Sequence, residues 1–188
     1  TVQSVNGAAA TFIEGSGTNY YGTASAVRCV FVTNGVFDGF TLWNGATSND
    51  YNSAINSSGG GAFACGATIR NCTLTGNTAS CGGGSAYGFV TNCTLTGSSA
   101  SSLGGGSYYG TLANCMLSGN SASSGGGSCY GTLANCTLSG NAASYCGGGS
   151  CSGTLKNCTL TGNTASYEGG GAFYGTLRTS IAWGNANG

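Results

Sequence analysis

The stretch Gly125-Gly-Gly-Ser-Cys-Tyr-Gly-Thr-Leu-Ala-Asn-Cys-Thr-Leu-Ser-Gly-Asn141 decides the fold, because the chain repeats this pattern five times between Gly59 and Gly175. The cysteine before the Thr-Leu or Met-Leu pair recurs in steps of 21 or 22 residues, at Cys72, Cys93, Cys115, Cys136 and Cys158. A sixth copy begins at Gly169. A fixed period near 22 predicts a solenoid, in which each repeat buries its apolar side only when a neighbour stacks on it.

Each repeat consists of short apolar and polar alternations separated by Gly and Asn turns. In Asn135-Cys-Thr-Leu-Ser139, Cys136 and Leu138 point to one face while Thr137 and Ser139 point to the other. Helical periodicity is absent, and the 38 glycines would each cost a helix about 1 kcal/mol. The sequence therefore predicts an all-β fold, a right-handed parallel β-helix (β-solenoid) with rungs of roughly 22 residues.

Stacking the rungs in register places like residues over like. Two inner apolar columns are expected, Leu42, Leu74, Leu95, Leu117, Leu138 and Leu160, and Phe37, Ile69, Val90, Leu112, Leu133, Leu155 and Leu177. Residues 1–58 are predicted to form degenerate N-terminal rungs with a side loop near 45–58, and residues 59–188 the regular repeats of one continuous domain.

Asparagines recur at two turn positions. One column, Asn71, Asn92, Asn114, Asn135 and Asn157, is predicted to be a ladder of hydrogen-bonded amides, and the second contains Asn77, Asn120, Asn141, Asn163 and Asn185. Four members of the first column also match the Asn-x-Thr acceptor of N-glycosylation. The turn ladder is favoured, because the match follows from the repeat. The Gly triplets are expected at corners with positive φ.

The composition excludes several classes of function. Net charge is zero with four residues of each sign, which argues against nucleic-acid or anionic-membrane partners. No apolar run approaches the roughly 20 residues of a membrane helix, so we expect no membrane insertion. Residues 1–7 do not resemble a signal peptide, which is typical of a mature or excised piece. Eleven cysteines favour an oxidising, extracellular or cell-surface setting.

The pattern Leu-x-x-Asn followed by Gly-Gly-Ala resembles the repeats of the chlamydial polymorphic outer membrane proteins, which are built on Phe-x-x-Asn and Gly-Gly-Ala-Ile. Leu74-Thr-Gly-Asn77, Leu160-Thr-Gly-Asn163, Gly60-Gly-Ala62 and Gly170-Gly-Ala172 carry the likeness. The likeness covers about residues 36–188. The wider group that shares it is the right-handed parallel β-helix repeat proteins. This resemblance implies a secreted or surface-exposed solenoid. The sequence departs from the pattern in having Leu for Phe and no membrane-barrel domain.

The sequence predicts no catalytic residue, cofactor or metal site. Its acids are Glu14, Asp38, Asp50 and Glu168, which are spread along the chain, and it has no His. A glycosidase needs paired carboxylates, and the calcium-binding solenoids need an Asp in every turn. Asp38 stands directly below Arg70 of the next rung, where a surface ion pair of about 0–1 kcal/mol accounts for both residues.

The cysteine column Cys72, Cys93, Cys115, Cys136 and Cys158 has two readings, buried packing and disulfides, of which packing is favoured. A second pair, Cys129 and Cys151, lies one repeat apart and is the candidate disulfide. The odd number of cysteines leaves at least one thiol free or paired outside the chain.

Hydroxyl residues and aromatics supply the candidate outward faces. Two outward columns on one face contain Thr73, Thr75, Thr94, Thr96, Thr137, Ser139, Thr159 and Thr161, with Trp43 and Trp183 at the ends. Such Thr-x-Thr arrays resemble the ice-binding surfaces of some antifreeze proteins. The alternative is that Thr suits any exposed strand. Tyr87, Tyr109, Tyr130 and Tyr174 form an aromatic side that either stacks on sugars or a partner, or packs beneath the Gly corners.

From these observations we expect a secreted or cell-surface structural and adhesive β-solenoid that stacks on copies of itself into filaments. The alternative is an ice-binding protein, and the third reading is a carbohydrate-binding or pectate-lyase-like module. The expected partners are copies of the chain through its end rungs, glycans, a host surface or ice.

Overall fold

The computed structural model describes residues 1–16, 26–48 and 53–187, which form an all-β parallel solenoid with almost no helix. About six regular turns follow two less regular layers at the N-terminal end. Each regular turn contains four short strands, and the strands of successive turns pair in parallel. The predicted fold class is confirmed.

Four sheets run along the solenoid, numbered here in the order in which a regular turn visits them. Sheet 1 comprises Val30–Phe31, Ala62–Phe63, Ser85–Ala86, Ser107–Tyr108, Ser128–Cys129, Ser150–Cys151 and Ala172–Phe173. Sheet 2 comprises Val2–Gln3, Val36–Asp38, Thr68–Arg70, Phe89–Thr91, Thr111–Ala113, Thr132–Ala134, Thr154–Lys156 and Thr176–Arg178. Sheet 3 comprises Phe12–Glu14, Thr41–Trp43, Thr73–Thr75, Thr94–Thr96, Met116–Ser118, Thr137–Ser139, Thr159–Thr161 and Ile181–Trp183. Sheet 4 comprises Thr78–Cys81, Ser99–Leu103, Ser121–Ser124, Ala142–Cys146, Thr164–Ala165 and Ala186–Asn187.

The apolar columns form the core, as predicted. Leu95 pairs in register with Leu74 on one side and with Leu117 on the other, and all three side chains are fully buried. In sheet 2, Val90 pairs with Ile69 and Leu112 in the same way. Complete burial of each such side chain contributes about 1.5–3 kcal/mol. An isolated turn cannot bury these side chains, so the stability of each turn depends on the turns stacked on either side of it.

From Cys72 to Cys158, turns of 21 and 22 residues alternate, and the additional residue of the longer turns is absorbed in sheet 4. The strands Ser99–Leu103 and Ala142–Cys146 are five residues long, whereas their neighbours Thr78–Cys81 and Ser121–Ser124 are four. The register shifts within these pairings. Sheets 1 to 3 consequently keep an uninterrupted register, while sheet 4 bulges at every second turn.

The second asparagine column lies in the core. Asn77, Asn120, Asn141 and Asn163 are completely buried. The Asn141 amide donates to the carbonyl of Leu117 at 3.0 Å, and its Oδ1 accepts from the backbone N–H of Asn120 at 3.0 Å. These asparagines do not adopt positive φ; the preceding glycines do, for example Gly140 at +60°. The column therefore links consecutive turns through buried hydrogen bonds.

The first asparagine column is the exposed turn ladder that the sequence predicts. Asn71, Asn92, Asn114, Asn135 and Asn157 have φ between 52° and 55°. Their amides donate along the column over 3.2–3.5 Å. The sequon interpretation remains untested.

The Gly triplets act through close approach of backbone as well as through positive φ. In the triplet at 125–127, only the first residue, Gly125, has positive φ, at +68°. A Cβ on Gly126 would lie 2.3 Å from the carbonyl oxygen of Ala142 in the next turn. The expectation that the triplets provide positive φ thus holds for the first glycine of each triplet. The other glycines are required because the backbones of neighbouring turns approach too closely to leave room for a Cβ.

The predicted side loop at 45–58 is partly integrated into the stack. Ala46 pairs with Thr78 and Ser58 with Cys81, as isolated bridges to sheet 4. Between them lies the helical turn Ala54–Ser57, capped by the Ser53 side chain, which accepts from the backbone of Asn56. Asp50 lies outside the described residues.

Replacing Asn141 by Leu should lower the free energy of unfolding by about 2–4 kcal/mol, because the buried Leu117 carbonyl and Asn120 N–H lose their partners. Asn141→Ser is the matched control. Ser98 occupies this column in another turn, and its hydroxyl accepts from the Asn77 N–H at 3.3 Å, so we expect a smaller loss. Urea unfolding followed by circular dichroism measures both, and equal stability of the two variants would contradict the role of the amide ladder.

Candidate functional site

The outward hydroxyls of sheet 3 form a regular array, called here the threonine face. Thr73 pairs in register with Thr94, and Thr75 with Thr96, while Leu74 and Leu95 between them point inward. Thr137 and Ser139 pair with Thr159 and Thr161. Hydroxyls therefore repeat about every 4.8 Å between strands and about 6.6–6.8 Å along each strand. The predicted residues are brought together on one surface.

The threonine face has a break and two aromatic ends. Met116 and Ser118 occupy the middle strand, where the Ser118 hydroxyl donates to Thr96 Oγ1 at 3.1 Å. Trp43 pairs with Thr75 and Trp183 with Thr161, so both tryptophans lie in the column predicted for them. At the N-terminal end, a groove of about 550 Å³ is lined by Phe12, Glu14, Thr41, Trp43 and Thr75.

Aromatic rings form a second face at the corner between sheets 1 and 2. This aromatic stripe contains Phe31, Phe63, Tyr87, Tyr108, Tyr109, Tyr130, Phe173 and Tyr174. Tyr109 stacks on Tyr87 at 5.9 Å and on Tyr130 at 4.9 Å, with interplanar angles of 7° and 16°. Stacked rings in consecutive turns follow from the register, because each tyrosine lies directly above the last.

The tyrosines of the stripe adopt an unusual backbone conformation. Tyr87, Tyr109, Tyr130 and Tyr174 have φ between 48° and 60°. Left-handed backbone costs a non-glycine residue roughly 1–2 kcal/mol, and strain of this kind concentrates at functional positions. Tyr109, Tyr130 and Tyr174 are exposed, so the interpretation that these rings pack beneath the Gly corners does not describe their position. They are presented outward from the corner.

Sequence reasoning did not identify Arg28, which stands at the N-terminal end of the stripe. Its guanidinium carbon lies 5.6 Å from the ring centroid of Phe31 and 5.4 Å from that of Phe63. It also donates to the backbone carbonyls of Ile55, Ser58 and Gly59. Burial lowers the pKa of Arg28. No sequence signal marks this contact, because it depends on how the segment before sheet 1 folds back.

The main cysteine column is packing, as favoured from the sequence. The Cys93 sulfur accepts from the Cys72 backbone N–H at 3.3 Å and the Cys72 sulfur from that of Phe40 at 3.4 Å. The Cys93 thiol donates to the Thr91 carbonyl at 3.1 Å. Ser180 ends the column by accepting from the Cys158 N–H.

The structure does not support the predicted Cys129–Cys151 disulfide: no two of the eleven cysteine sulfurs lie at bonding distance. Cys129 and Cys151 are register partners, so their side chains project in parallel, which is unsuitable geometry for a disulfide. The sulfur of Cys146 instead lies 3.8 Å from that of Cys151. Cys146 ends a bulged strand of sheet 4, and the bulge directs it toward Cys151. Burial raises the pKa values of the Cys129 and Cys146 thiols.

The acidic residues do not form a carboxylate pair within the described part of the chain. Asp38 is buried, where Arg70 contacts it at 2.9 Å and the Asn71 amide donates to it at 2.8 Å. Hydrogen bonding by Asn71, and then by Arg70, lowers the pKa of this carboxyl. The predicted ion pair is present: its Asp38 side chain is buried and its Arg70 side chain is exposed. Glu14 lies near one end of the solenoid and Glu168 near the other.

Among residues 1–16, 26–48 and 53–187, no cluster of three or more metal-ligating side chains occurs. Over the same ranges, no helix has the length and hydropathy to cross a membrane. Comparison of the chain with protein-family models, with curated proteins and with solved structures gives no match. The resemblance to the chlamydial repeats therefore stays at the level of the short motifs, and the parallel β-solenoid is what the structure supports.

Oxidation should link Cys146 to Cys151 and leave Cys129 reduced. Diamide takes up the two thiol hydrogens as the S–S bond forms, and the reaction proceeds through a thiolate. Because burial raises the Cys146 pKa, the reaction should be faster at pH 9 than at pH 7. Peptide mapping by mass spectrometry identifies the link. Cys129→Ser should leave it unchanged and Cys146→Ser should abolish it; a Cys129–Cys151 link in the unmodified chain would contradict this geometry.

Proposed function

We propose that this chain is a non-catalytic, structural and adhesive solenoid module that acts outside the cell or at its surface. The carrying observation is the unbroken register of sheets 2 and 3 from the first described layer to the last. It produces a rod whose outward side chains recur at one strand spacing, which suits repetitive contact with a surface, a polymer or another copy. The separation of Glu14, Asp38 and Glu168 is consistent with a non-catalytic role.

End-to-end stacking is the assembly that we propose for this rod. In the last layer, Leu177 continues a column of fully buried side chains but is 38% exposed. Ala182, the inward residue of the last sheet 3 strand, is exposed as well, whereas its register partner Leu160 is fully buried. A strand edge offers unpaired backbone groups to a partner. The first layer of a second copy presents the complementary edge through Val2–Gln3 and Phe12–Glu14.

The stacking proposal predicts growth of the sedimentation coefficient with protein concentration. Leu177→Asp should abolish this growth, because it places a charge in the stacking surface. Thr176→Asp is the matched control: it adds the same charge to an exposed residue on the outward face of the same strand, and it should assemble normally. Analytical ultracentrifugation and electron microscopy measure the result. A wild-type chain that remains monomeric at every concentration would overturn the proposal.

Ice binding is the second candidate, and the threonine face favours it. Its two hydroxyl columns lie on one sheet with regular spacing in both directions, and a lattice-like array of this kind can order water. The interruption at Met116 limits the uninterrupted area to the strands on either side.

If the threonine face binds ice, the chain should show thermal hysteresis that Thr94→Tyr abolishes. Thr94 lies within the array, and a tyrosine there would hold the ice surface away from Thr73. Thr111→Tyr is the control, since Thr111 is exposed on sheet 2 in register with Phe89. Nanolitre osmometry provides the measurement. Absence of hysteresis in the wild-type chain would exclude ice binding.

A further inference from the structure

The aromatic stripe is interrupted once, at Ser152. The tyrosine column runs through Tyr87, Tyr109 and Tyr130, continues with Ser152 and resumes at Tyr174, as the backbone hydrogen bonds between turns show. Ser152 keeps the left-handed backbone of the column, with φ of 53°. The corner is therefore unchanged, and only the ring is replaced by a hydroxymethyl group. The space between Tyr130 and Tyr174 at this level is called here the Ser152 slot.

Tyr174, on one side of the slot, is held in the same way as Tyr109 further along the column. Tyr109 lies against Tyr108 of its own turn at 4.7 Å and 81°. Tyr174 lies against Phe173 at 4.4 Å and 73°, and Phe173 belongs to the same column as Tyr108 through Cys129 and Cys151. Tyr174 thus holds its ring as Tyr109 does. Since Tyr109 covers one face of Tyr130, the other face of Tyr130 is directed toward the slot.

We propose that the Ser152 slot binds one pyranose ring of a neutral glycan between the faces of Tyr130 and Tyr174. This inference rests on the adhesive function proposed above and names the chemistry of its partner. The residue beside Ser152 in the slot is also small: Cys151 occupies the position that the larger Tyr108 and Phe173 fill in other turns. The aromatic faces supply contact with the C–H faces of the sugar.

The spacing favours a pyranose over a flat aromatic ring. Two turns separate Tyr130 from Tyr174, about 9.6 Å at the strand spacing of about 4.8 Å. A flat ring in van der Waals contact with both faces needs about 7–8 Å. A pyranose chair is thicker, because its axial hydrogens stand off both faces. It therefore contacts both tyrosines where a planar ring contacts one.

The surroundings of the slot favour a neutral ligand. None of the residues 128–134, 150–155 and 172–177 is charged. The carboxylate of Glu168 lies with Tyr145, Cys146 and Tyr167 around a cavity of about 190 Å³ that Phe173 also lines. Within the three uncharged ranges, hydroxyls are present instead: Ser152 lies in the slot, and Thr132, Thr154 and Thr176 follow as exposed register partners on sheet 2. Hydroxyl groups both donate and accept hydrogen bonds, which suits the hydroxyls of an uncharged sugar.

The test fills the slot and then rebuilds it elsewhere. Methyl glycosides of glucose, galactose, mannose and N-acetylglucosamine are the probes, and saturation-transfer NMR reports binding of their ring protons. Ser152→Tyr should weaken binding of the recognised glycoside at least tenfold. It should also leave the circular dichroism unchanged, because four turns already carry tyrosine in this conformation. In that background, Tyr108→Cys with Tyr109→Ser copies the Cys-Ser pair between Tyr87 and Tyr130 and should restore binding.

Binding that survives Ser152→Tyr, or that the rebuilt slot fails to restore, would overturn the proposal. So would a slot that binds phenol but none of the glycosides, because the ligand would then be planar. Sedimentation of the same variants separates this inference from the proposed function. A wild-type chain that assembles but binds none of the glycosides would refute the slot alone, and a wild-type chain that binds a glycoside but stays monomeric would refute the stacking alone.

Discussion

Register between turns is the constraint on which this structure depends. Parallel pairing places each turn about 4.8 Å above the last, so every position along the turn must suit an almost identical neighbour. The corners show how strict this requirement is: a Cβ on Gly148 would lie 2.2 Å from the Thr164 carbonyl oxygen. Only glycine allows two backbones to pass at that distance. The repeated Gly triplet is therefore a consequence of stacking, and the period of the sequence follows from it.

The same register allows polar side chains to be buried in the core. Burying an amide without partners costs several kcal/mol, yet Asn120, Asn141 and Asn163 are fully buried. Each is satisfied because the next turn presents the same amide, and because a leucine carbonyl of the preceding turn accepts its second hydrogen bond. A buried asparagine of this kind is stable only inside a stack. Apolar and polar ladders thus both bind one turn to the next, and neither supports an isolated turn.

The inner columns could be predicted from the sequence because period and alternation determine them. Leu138 had to lie over Leu117 once Cys136 and Leu138 were assigned to one face, and the structure has them paired. Contacts that depend on departures from the period could not be predicted. The bulge in sheet 4 moves Cys146 toward Cys151, whereas the repeat spacing singled out Cys129. The left-handed tyrosines escaped prediction as well, because that conformation is expected of Gly and Asn.

Departures from the repeat have different consequences inside the core and on the outer surface. Inside the stack, a change must preserve the ladder, as Ser98 does by accepting the hydrogen bond of Asn77. Outside it, a change alters the surface and leaves the pairing intact: Ser152 keeps the backbone of the tyrosine column, and Met116 keeps its place in sheet 3 between Thr94 and Thr137. Because identical turns present identical surfaces, selectivity can arise only where the outward pattern breaks. The irregular outward positions are accordingly where a specific ligand distinguishes one level of this solenoid from another.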